Sequence, residues 1–150
     1  MTAPIITLSI VSHGSPTLHT LLESLQRHEV DTHRFRIILT DNLRNDLPEF
    51  DPTPWHSLQI LRNQNQLGFA HNHNNAFQQA QGEWFAIINP DLVFERPIFD
   101  NLIQRLTGLP EAILAPYIVD EHGHIQDSFR PLPTPLELLR RHAGVVTRAR

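Results

Sequence analysis

The chain has 150 residues, 40% of them hydrophobic and 19% charged, a balance typical of one soluble globular domain. Its formal net charge of −4 argues against a protein that binds nucleic acid by bulk electrostatic attraction, and we expect no nucleic-acid partner. All 12 basic residues are arginine and cysteine is absent, which excludes a catalytic lysine, a thiol nucleophile and thiolate zinc ligands. No apolar run is long enough to span a membrane and the start lacks a charged leader, so we expect a cytoplasmic protein.

Over most of its length, the sequence predicts strands that alternate with helices. Continuous apolar runs rich in β-branched residues predict strands over residues 5–11, 35–39, 58–62 and 83–88. Apolar residues spaced three and four apart predict helices over residues 17–27, 68–81 and 97–107. Prolines and mixed charge favour a loop over 43–57. Continuous apolar strands of this kind favour an α/β fold with a mostly parallel sheet and helices on both faces.

The segment beyond Gly108 is less regular. The elements expected there are a strand over 112–119, a turn over 121–123, a returning strand over 125–129 and a helix over 136–142. Three prolines, at positions 131, 133 and 135, precede that last helix. We therefore expect a main domain over 1–130, followed by a Pro-rich connector and basic helical tail over 131–150.

Polar residues follow each of the first four predicted strands. They are Ser12, His13, Asp41, Asn42, Asn63, Asn89 and Asp91. Ligands of open α/β sheets bind outside the carboxyl ends of the strands, so these residues form a candidate cleft. The alternative is that they are polar simply because loops are polar.

Asn89-Pro90-Asp91 is the sharpest local feature. Residues two apart in an extended chain project to the same side, so the Asn89 amide and the Asp91 carboxylate can face one small cation. Mg²⁺ and Mn²⁺ are often held by one or two carboxylates together with substrate phosphates. The alternative is a plain turn, because all three residue types are favoured in turns.

The predicted helix over 68–81 carries a second feature. Ala70, Ala76 and Phe77 define its expected inward face, with Asn74 between them. A buried carboxamide requires hydrogen bonds, so we expect Asn74 to tie the helix to a neighbouring loop or to contact a ligand. The helix N-terminus near Gly68 also offers free N–H groups to an anion.

Other chemistries have little support. No histidine pair has the spacing of a helical zinc site, and His122 and His124 flank a turn in which solvation is the simpler interpretation. There is no nucleophile elbow around Ser12 and His13, and no glycine-rich phosphate loop. A nucleotidyltransferase would require a basic glycine-rich loop or a lysine near the first turn, and neither is present.

Four stretches, in chain order, resemble the donor half of family 2 glycosyltransferases of the GT-A fold. They are LSIVSHGS, FRIILTDN, LGFAHNHNNAF and GEWFAIINPD. The resemblance covers residues 5–130 and is greatest to rhamnosyltransferase-like members. It implies a Rossmann-like GT-A sheet and an inverting, metal-dependent transfer of a sugar, rhamnose in that branch, from a nucleoside diphosphate sugar. The acceptor it implies is a polysaccharide or a lipid-linked saccharide, as in cell-wall or polysaccharide biosynthesis.

The resemblance also implies roles for individual residues. Asp41 matches the family acid that recognises the nucleotide base or ribose. Asp91 would hold Mg²⁺ or Mn²⁺ against the donor diphosphate, in an Asp-x-Asp-type motif whose first acid is Asn89 here. Gly68 and Asn74 would shape the loop and helix beside the donor. The donor-binding residues implied are Ser12, His13, Asp41, Asn42, Gly68, Asn74 and Asn89.

The family's acceptor half and its carboxylate base are not found after this region. Asp120 and Asp127 are the nearest carboxylates, and nothing recommends either, so the catalytic residues stay unassigned. The alternatives are a truncated transferase, one half of a two-chain or oligomeric enzyme, and a non-catalytic sugar-nucleotide-binding module. The basic tail over 136–150 is compatible with peripheral contact to anionic lipid at the inner membrane, although a solvated tail is the simpler interpretation.

Overall fold

The computed structural model describes residues 6–43, 47, 49–109, 112–117, 119–120, 122–125 and 134. The chain divides into two compact units, Met1–Thr107 and Gly108–Arg150. The predicted boundary at residue 130 lies outside the described residues and stays a prediction. Within the described part, no helix has the length and apolar character needed to cross a membrane.

The first unit is built on a parallel sheet. Its strands are β1 (Ile6–Ser12), β2 (Phe35–Asp41), β3 (Ser57–Arg62) and β4 (Trp84–Ile88), in the order β3-β2-β1-β4. All three pairings are parallel. Because β2 lies on one side of β1 and β4 on the other, the strand order reverses beside β1. The structure confirms the predicted parallel α/β sheet, and each strand lies within two residues of its expected bounds.

One face of the sheet packs in an apolar core with two helices, α1 (Leu18–His28) and α3 (Phe99–Leu106). The buried leucines of α1 are Leu18, Leu21, Leu22 and Leu25. They share the core with the inward residues of β1 and β2, namely Ile6, Leu8, Ile10, Phe35, Ile37 and Leu39. Helix α3 joins this core through Phe99, whose ring lies 5.0 Å from that of Phe35, measured between centroids.

The opposite face of β1 is polar and carries α2 (Phe69–Phe77). Side chains alternate along a strand, so Thr7 and Ser9 point away from the apolar core, and both are fully buried. Thr7 Oγ1 accepts from the backbone N–H of Gln81 at 3.0 Å, and Ser9 Oγ is hydrogen-bonded to Nδ1 of His73 at 2.8 Å. Hydrogen bonds therefore attach this helical segment to the sheet.

Helix α2 differs from its prediction in which side chains it buries. The buried residues are Asn72, His73 and Ala76, whereas Ala70, Asn74 and Phe77 are not buried. The prediction from apolar periodicity is right for Ala76 and wrong for Ala70, Asn74 and Phe77, because the sheet face is polar and supplies hydrogen-bond partners. The α-helix also ends at Phe77, and the chain continues to residue 80 in tighter turns with i→i+3 bonds.

In the second unit, the predicted strand over 112–119 is wrong over 112–117, which forms no strand, and Ile113 is fully exposed. The described residues offer this apolar run no partner strand, so it has no ladder to join there. Val119 and Ile125 form an antiparallel bridge around the expected turn, where Gly123 has φ of +81°. The rest of the returning strand, the last helix and Asp127 lie outside the described residues.

Candidate functional site

A pocket of about 280 Å³ opens where β1 and β4 end. Among the residues lining it are His13, Ser15, Phe69, His73, Asn89 and Asp91. This is the point where the strand order reverses, and neighbouring loops diverge there to leave a crevice. Three residues predicted from the sequence, His13, Asn89 and Asp91, are thus brought together by the parallel sheet.

The Asn89-Pro90-Asp91 segment is a turn anchored by its backbone. The Pro90 carbonyl accepts a hydrogen bond from Thr17 Oγ1 at 2.9 Å, which ties the turn to the loop between β1 and α1. The Asn89 carbonyl accepts from the N–H of Leu92 at 3.4 Å. Asn89 and Asp91 are exposed and line the pocket. These three residues therefore form a turn and also contribute to the candidate ligand site.

Among the described residues that line the pocket, Asp91 is the only acidic side chain and there is no arginine. The described residues also contain no group of three or more histidine and carboxylate side chains placed to hold a metal ion. The oxygen donors present, the Asp91 carboxylate and the Asn89 amide, fit a hard divalent ion that takes its other ligands from water and phosphate.

Asn42 lies behind the pocket, and its side-chain amide is hydrogen-bonded to other groups of the protein. Its Nδ2 donates to the Leu67 carbonyl at 2.9 Å and bonds His13 Nδ1 at 3.1 Å. Its Oδ1 accepts from the Leu67 N–H at 2.9 Å and from Asn63 Nδ2 at 2.6 Å. All four hydrogen-bonding positions of this amide are filled, so Asn42 positions the site rather than offering a group to a ligand.

Asn63 and Asn72 complete this network. Asn63 Nδ2 also donates to Asn72 Oδ1 at 2.7 Å, and Asn72 Nδ2 donates to the Leu67 carbonyl at 3.1 Å. Three amides from the ends of β2 and β3 and from α2 therefore hold the loop that leads into α2. Gly68 follows this loop directly and is the N-cap of α2, with no side-chain hydrogen bond to the helix.

Two other predicted residues are buried beneath the loops. Asp41 is fully buried at the end of β2, with Oδ2 lying 3.9 Å from Arg62 Nε and Oδ1 accepting from the Leu43 N–H at 3.3 Å. Ser12 is also buried, and its Oγ accepts from the Ser15 N–H at 3.3 Å. Neither is among the residues that line the pocket, and neither is Asn74.

His73 is the pocket residue that apolar patterning missed. It is 4% exposed, its ring packs against Phe69 at 4.4 Å between centroids, and burial lowers its pKa from the usual 6.5. It is therefore neutral near pH 7. The signal that would have found it is the spacing of Phe69, Asn72, His73 and Ala76, which is the i, i+3, i+4, i+7 pattern of a helix face.

An open parallel sheet with a crevice at its reversal point defines a ligand-binding α/β fold. The sequence model of glycosyl transferase family 2 matches residues 10–139. The chain belongs to that family, and the predicted GT-A type of α/β fold is confirmed. Among curated proteins, no significant match was found.

Solved structures with the same fold are distant in sequence. S. aureus TarS is 14% identical, with a TM-score of 0.54 over 68% of this chain and 19% of TarS. Its 1-349 fragment in complex with UDP is 16% identical, with a TM-score of 0.53 over 68% of this chain and 32% of the fragment. Mannosyltransferase PcManGT from Pyrobaculum calidifontis, in complex with GDP-Man and Mn2+, is 17% identical, with a TM-score of 0.54 over 72% of this chain and 34% of that one. The matched region thus spans a fifth to a third of these proteins.

Proposed function

We propose that this chain binds the nucleoside diphosphate sugar donor of a metal-dependent, inverting glycosyltransferase. The observation that carries the proposal is the pocket at the sheet reversal, which joins Asp91 and Asn89 to neutral hydrogen-bonding groups. The donor diphosphate would lie there, and the proposed role of Asp41, which is fully buried, is to position the end of β2 beside the nucleotide end of the donor. The structural neighbours solved with UDP and with GDP-Man and Mn2+ support this choice of ligand.

The charges in the pocket support the proposed metal dependence. A diphosphate placed beside the Asp91 carboxylate meets repulsion, and no arginine among the described lining residues offsets it. A divalent ion held by Asp91, with the Asn89 amide beside it, would offset the repulsion between the Asp91 carboxylate and the diphosphate. When bound, Mg²⁺ or Mn²⁺ would stabilise the charge that develops on the leaving diphosphate.

The reaction proposed is a single displacement. An acceptor hydroxyl forms a bond to the anomeric carbon while the bond from that carbon to the phosphate oxygen breaks, and the electron pair leaves with the nucleoside diphosphate. The hydroxyl proton requires a base. Asp120 is a poor candidate, because hydrogen bonds from the backbone and side chain of His124 lower the pKa of its carboxyl.

The proposed sugar is rhamnose, on the resemblance of the Asn89-Pro90-Asp91 segment to rhamnosyltransferase-like members. The proposed acceptor is a saccharide or lipid-linked saccharide, met in the cytoplasm at the periphery of the inner membrane. A second candidate function is donor binding without turnover, as a non-catalytic sugar-nucleotide-binding or interaction module. It is favoured by the single carboxylate, Asp91, among the described lining residues.

Thermal unfolding tests the donor site. UDP, GDP and dTDP are each added with Mg²⁺, with Mn²⁺ or with a chelator, and at least one is expected to raise the midpoint only when metal is present. Asp91→Asn removes the charge without changing the shape and should abolish that dependence. Glu83→Gln, an exposed acid before β4 that does not line the pocket, is the matched control. Equal stabilisation of the parent and Asp91→Asn proteins would overturn the metal assignment.

A further inference from the structure

Two histidines line the pocket, and each uses Nδ1 to bond a group behind it. His13 Nδ1 lies 3.1 Å from Asn42 Nδ2, and His73 Nδ1 lies 2.8 Å from Ser9 Oγ. Neither Nε2 has a hydrogen-bond partner among the described residues. For each ring, Nε2 is therefore the nitrogen available to a ligand. If Nε2 carries a proton, it donates a hydrogen bond to a ligand atom, and if it does not, it accepts one.

The backbone fixes the tautomer of His13. One end of the Asn42 amide faces the Leu67 carbonyl, which only accepts, and the other faces the Leu67 N–H, which only donates. The amide nitrogen must therefore lie on the carbonyl side, which is also the side of His13. Because Nδ2 only donates, His13 Nδ1 must accept, and the proton of the neutral ring lies on Nε2.

A hydrogen-bond count fixes the tautomer of His73. Ser9 is fully buried, and among the described residues its hydroxyl has no partner except His73 Nδ1. A buried hydroxyl that fails to donate costs about 1–3 kcal/mol. The favoured arrangement has the Ser9 O–H donating to Nδ1, which places the His73 proton on Nε2. An almost fully buried side chain thus presents one unpartnered N–H to the pocket.

We propose that His13 and His73 form a preset pair of Nε2–H donors that bind oxygen atoms of the donor diphosphate. An Nε2–H group has no lone pair for a metal and cannot accept a proton, so neither ring serves as a metal ligand or a general base through that atom. The pair complements Asp91, which would attract the cation while the two N–H groups contact the anion. This inference rests on the proposed function, because it names the part of the donor that the pocket holds.

Nuclear magnetic resonance of the imidazole nitrogens tests the preset state directly. In the free protein, long-range ¹H–¹⁵N spectra are expected to show the Nε2–H tautomer for His13 and His73. Inorganic pyrophosphate with Mg²⁺, and separately UDP and GDP with Mg²⁺, should then shift both Nε2 signals. The exposed His71, which does not line the pocket, is the internal control and should not respond. An Nδ1–H tautomer at either ring would overturn the pairing.

Substitution by asparagine tests the two nitrogens of each histidine ring separately. An asparagine amide reaches only as far as Nδ1, so His73→Asn and His13→Asn preserve the bonds to Ser9 and Asn42 but remove the pocket N–H. Each should weaken binding of pyrophosphate or of the best nucleotide about tenfold or more, the usual loss for a hydrogen bond to a charged group. His71→Asn, on the same helix, should bind like the parent.

The outcomes separate this inference from the proposed function. If a nucleoside diphosphate binds while both Nε2 signals stay unmoved and both variants bind like the parent, the donor pair is wrong and the donor site stands. If pyrophosphate binds and shifts both signals but no nucleoside diphosphate binds, the donor pair stands and the proposed function is wrong. If no probe binds, both are wrong.

Discussion

The side chain of Asn42 pairs with both backbone groups of Leu67, donating to the carbonyl and accepting from the N–H at 2.9 Å each. This reciprocal pair links the end of β2 to the residue two positions before α2. Asn42 is 1% exposed, so the bonds form away from water. It is one of the residues that position α2 on the sheet, and it also holds the His13 ring.

Asn42→Ala is expected to lower the free energy of unfolding by about 2–4 kcal/mol, because it takes the acceptor from the Leu67 N–H and removes one hydrogen bond each from the Leu67 carbonyl, Asn63 and His13. The measurement is urea unfolding followed by circular dichroism. Asn74→Ala is the matched control and should change stability by less than about 0.5 kcal/mol, since Asn74 is exposed. A larger loss from Asn74→Ala than from Asn42→Ala would contradict the network.

Glu29 is expected to stabilise the start of α3 from a distance of about 70 residues in sequence. Its buried carboxylate accepts from the N–H of Ile98 at 2.8 Å and of Phe99 at 3.4 Å, in place of a local cap. Glu29→Ala should cost about 1–3 kcal/mol in urea unfolding. Glu29→Gln retains an acceptor oxygen and should cost less. Equal losses in the two variants would show that the negative charge carries the effect and that an acceptor oxygen alone does not stabilise the helix.

Gly68→Ser tests whether the first N–H groups of α2 face a ligand. Gly68 has φ of −71°, and a Cβ at this position would meet no atom within 4 Å, so serine fits. As an N-cap, this serine should raise the free energy of unfolding by about 0.3 kcal/mol. It should also weaken pyrophosphate or UDP binding by occupying those N–H groups. Gly68→Ala, which cannot cap, should leave affinity unchanged, and calorimetry that finds the two variants alike in affinity would refute the effect.

The neutral His73 makes stability depend on pH. Burial lowers its pKa in the folded protein, whereas the unfolded chain takes up that proton near the usual value of 6.5. Below pH 6.5 the unfolded state binds more protons, so the free energy of unfolding falls, by at most about 1.4 kcal/mol per pH unit for one group. Between pH 7.5 and 5.5, His73→Asn should lose less stability than the parent. Identical slopes for the parent and His73→Asn would contradict the shift.

The sheet and the meeting of His13, Asn89 and Asp91 could be predicted from the sequence. Continuous β-branched runs predict buried parallel strands, and parallel strands bring their carboxyl ends to one edge. The inward face of α2 could not be predicted this way. It buries Asn72 and His73, whose hydrogen-bond partners lie up to 64 residues away in sequence. Apolar periodicity ranks such residues as outward, because it cannot see a partner.

The strand expected over 112–119 shows the opposite limit over its described residues 112–117. Its apolar residues satisfy the local pattern, but Ile113 is fully exposed and the described part of the second unit offers it no neighbouring strand. A strand gains stability only from a partner, and local sequence does not state whether one is present.

Hydrogen bonds attach α2 to the sheet, whereas apolar packing attaches α1, so the two helices respond differently to a small displacement. Leucines that fill an apolar core tolerate small slides, because the hydrophobic effect depends on buried area and has no preferred direction. The bonds from Ser9 and Asn63 to α2 depend on direction and length, and a displacement of an ångström breaks them together. These bonds therefore restrict the position of the helix that carries His73 more closely than apolar packing alone would.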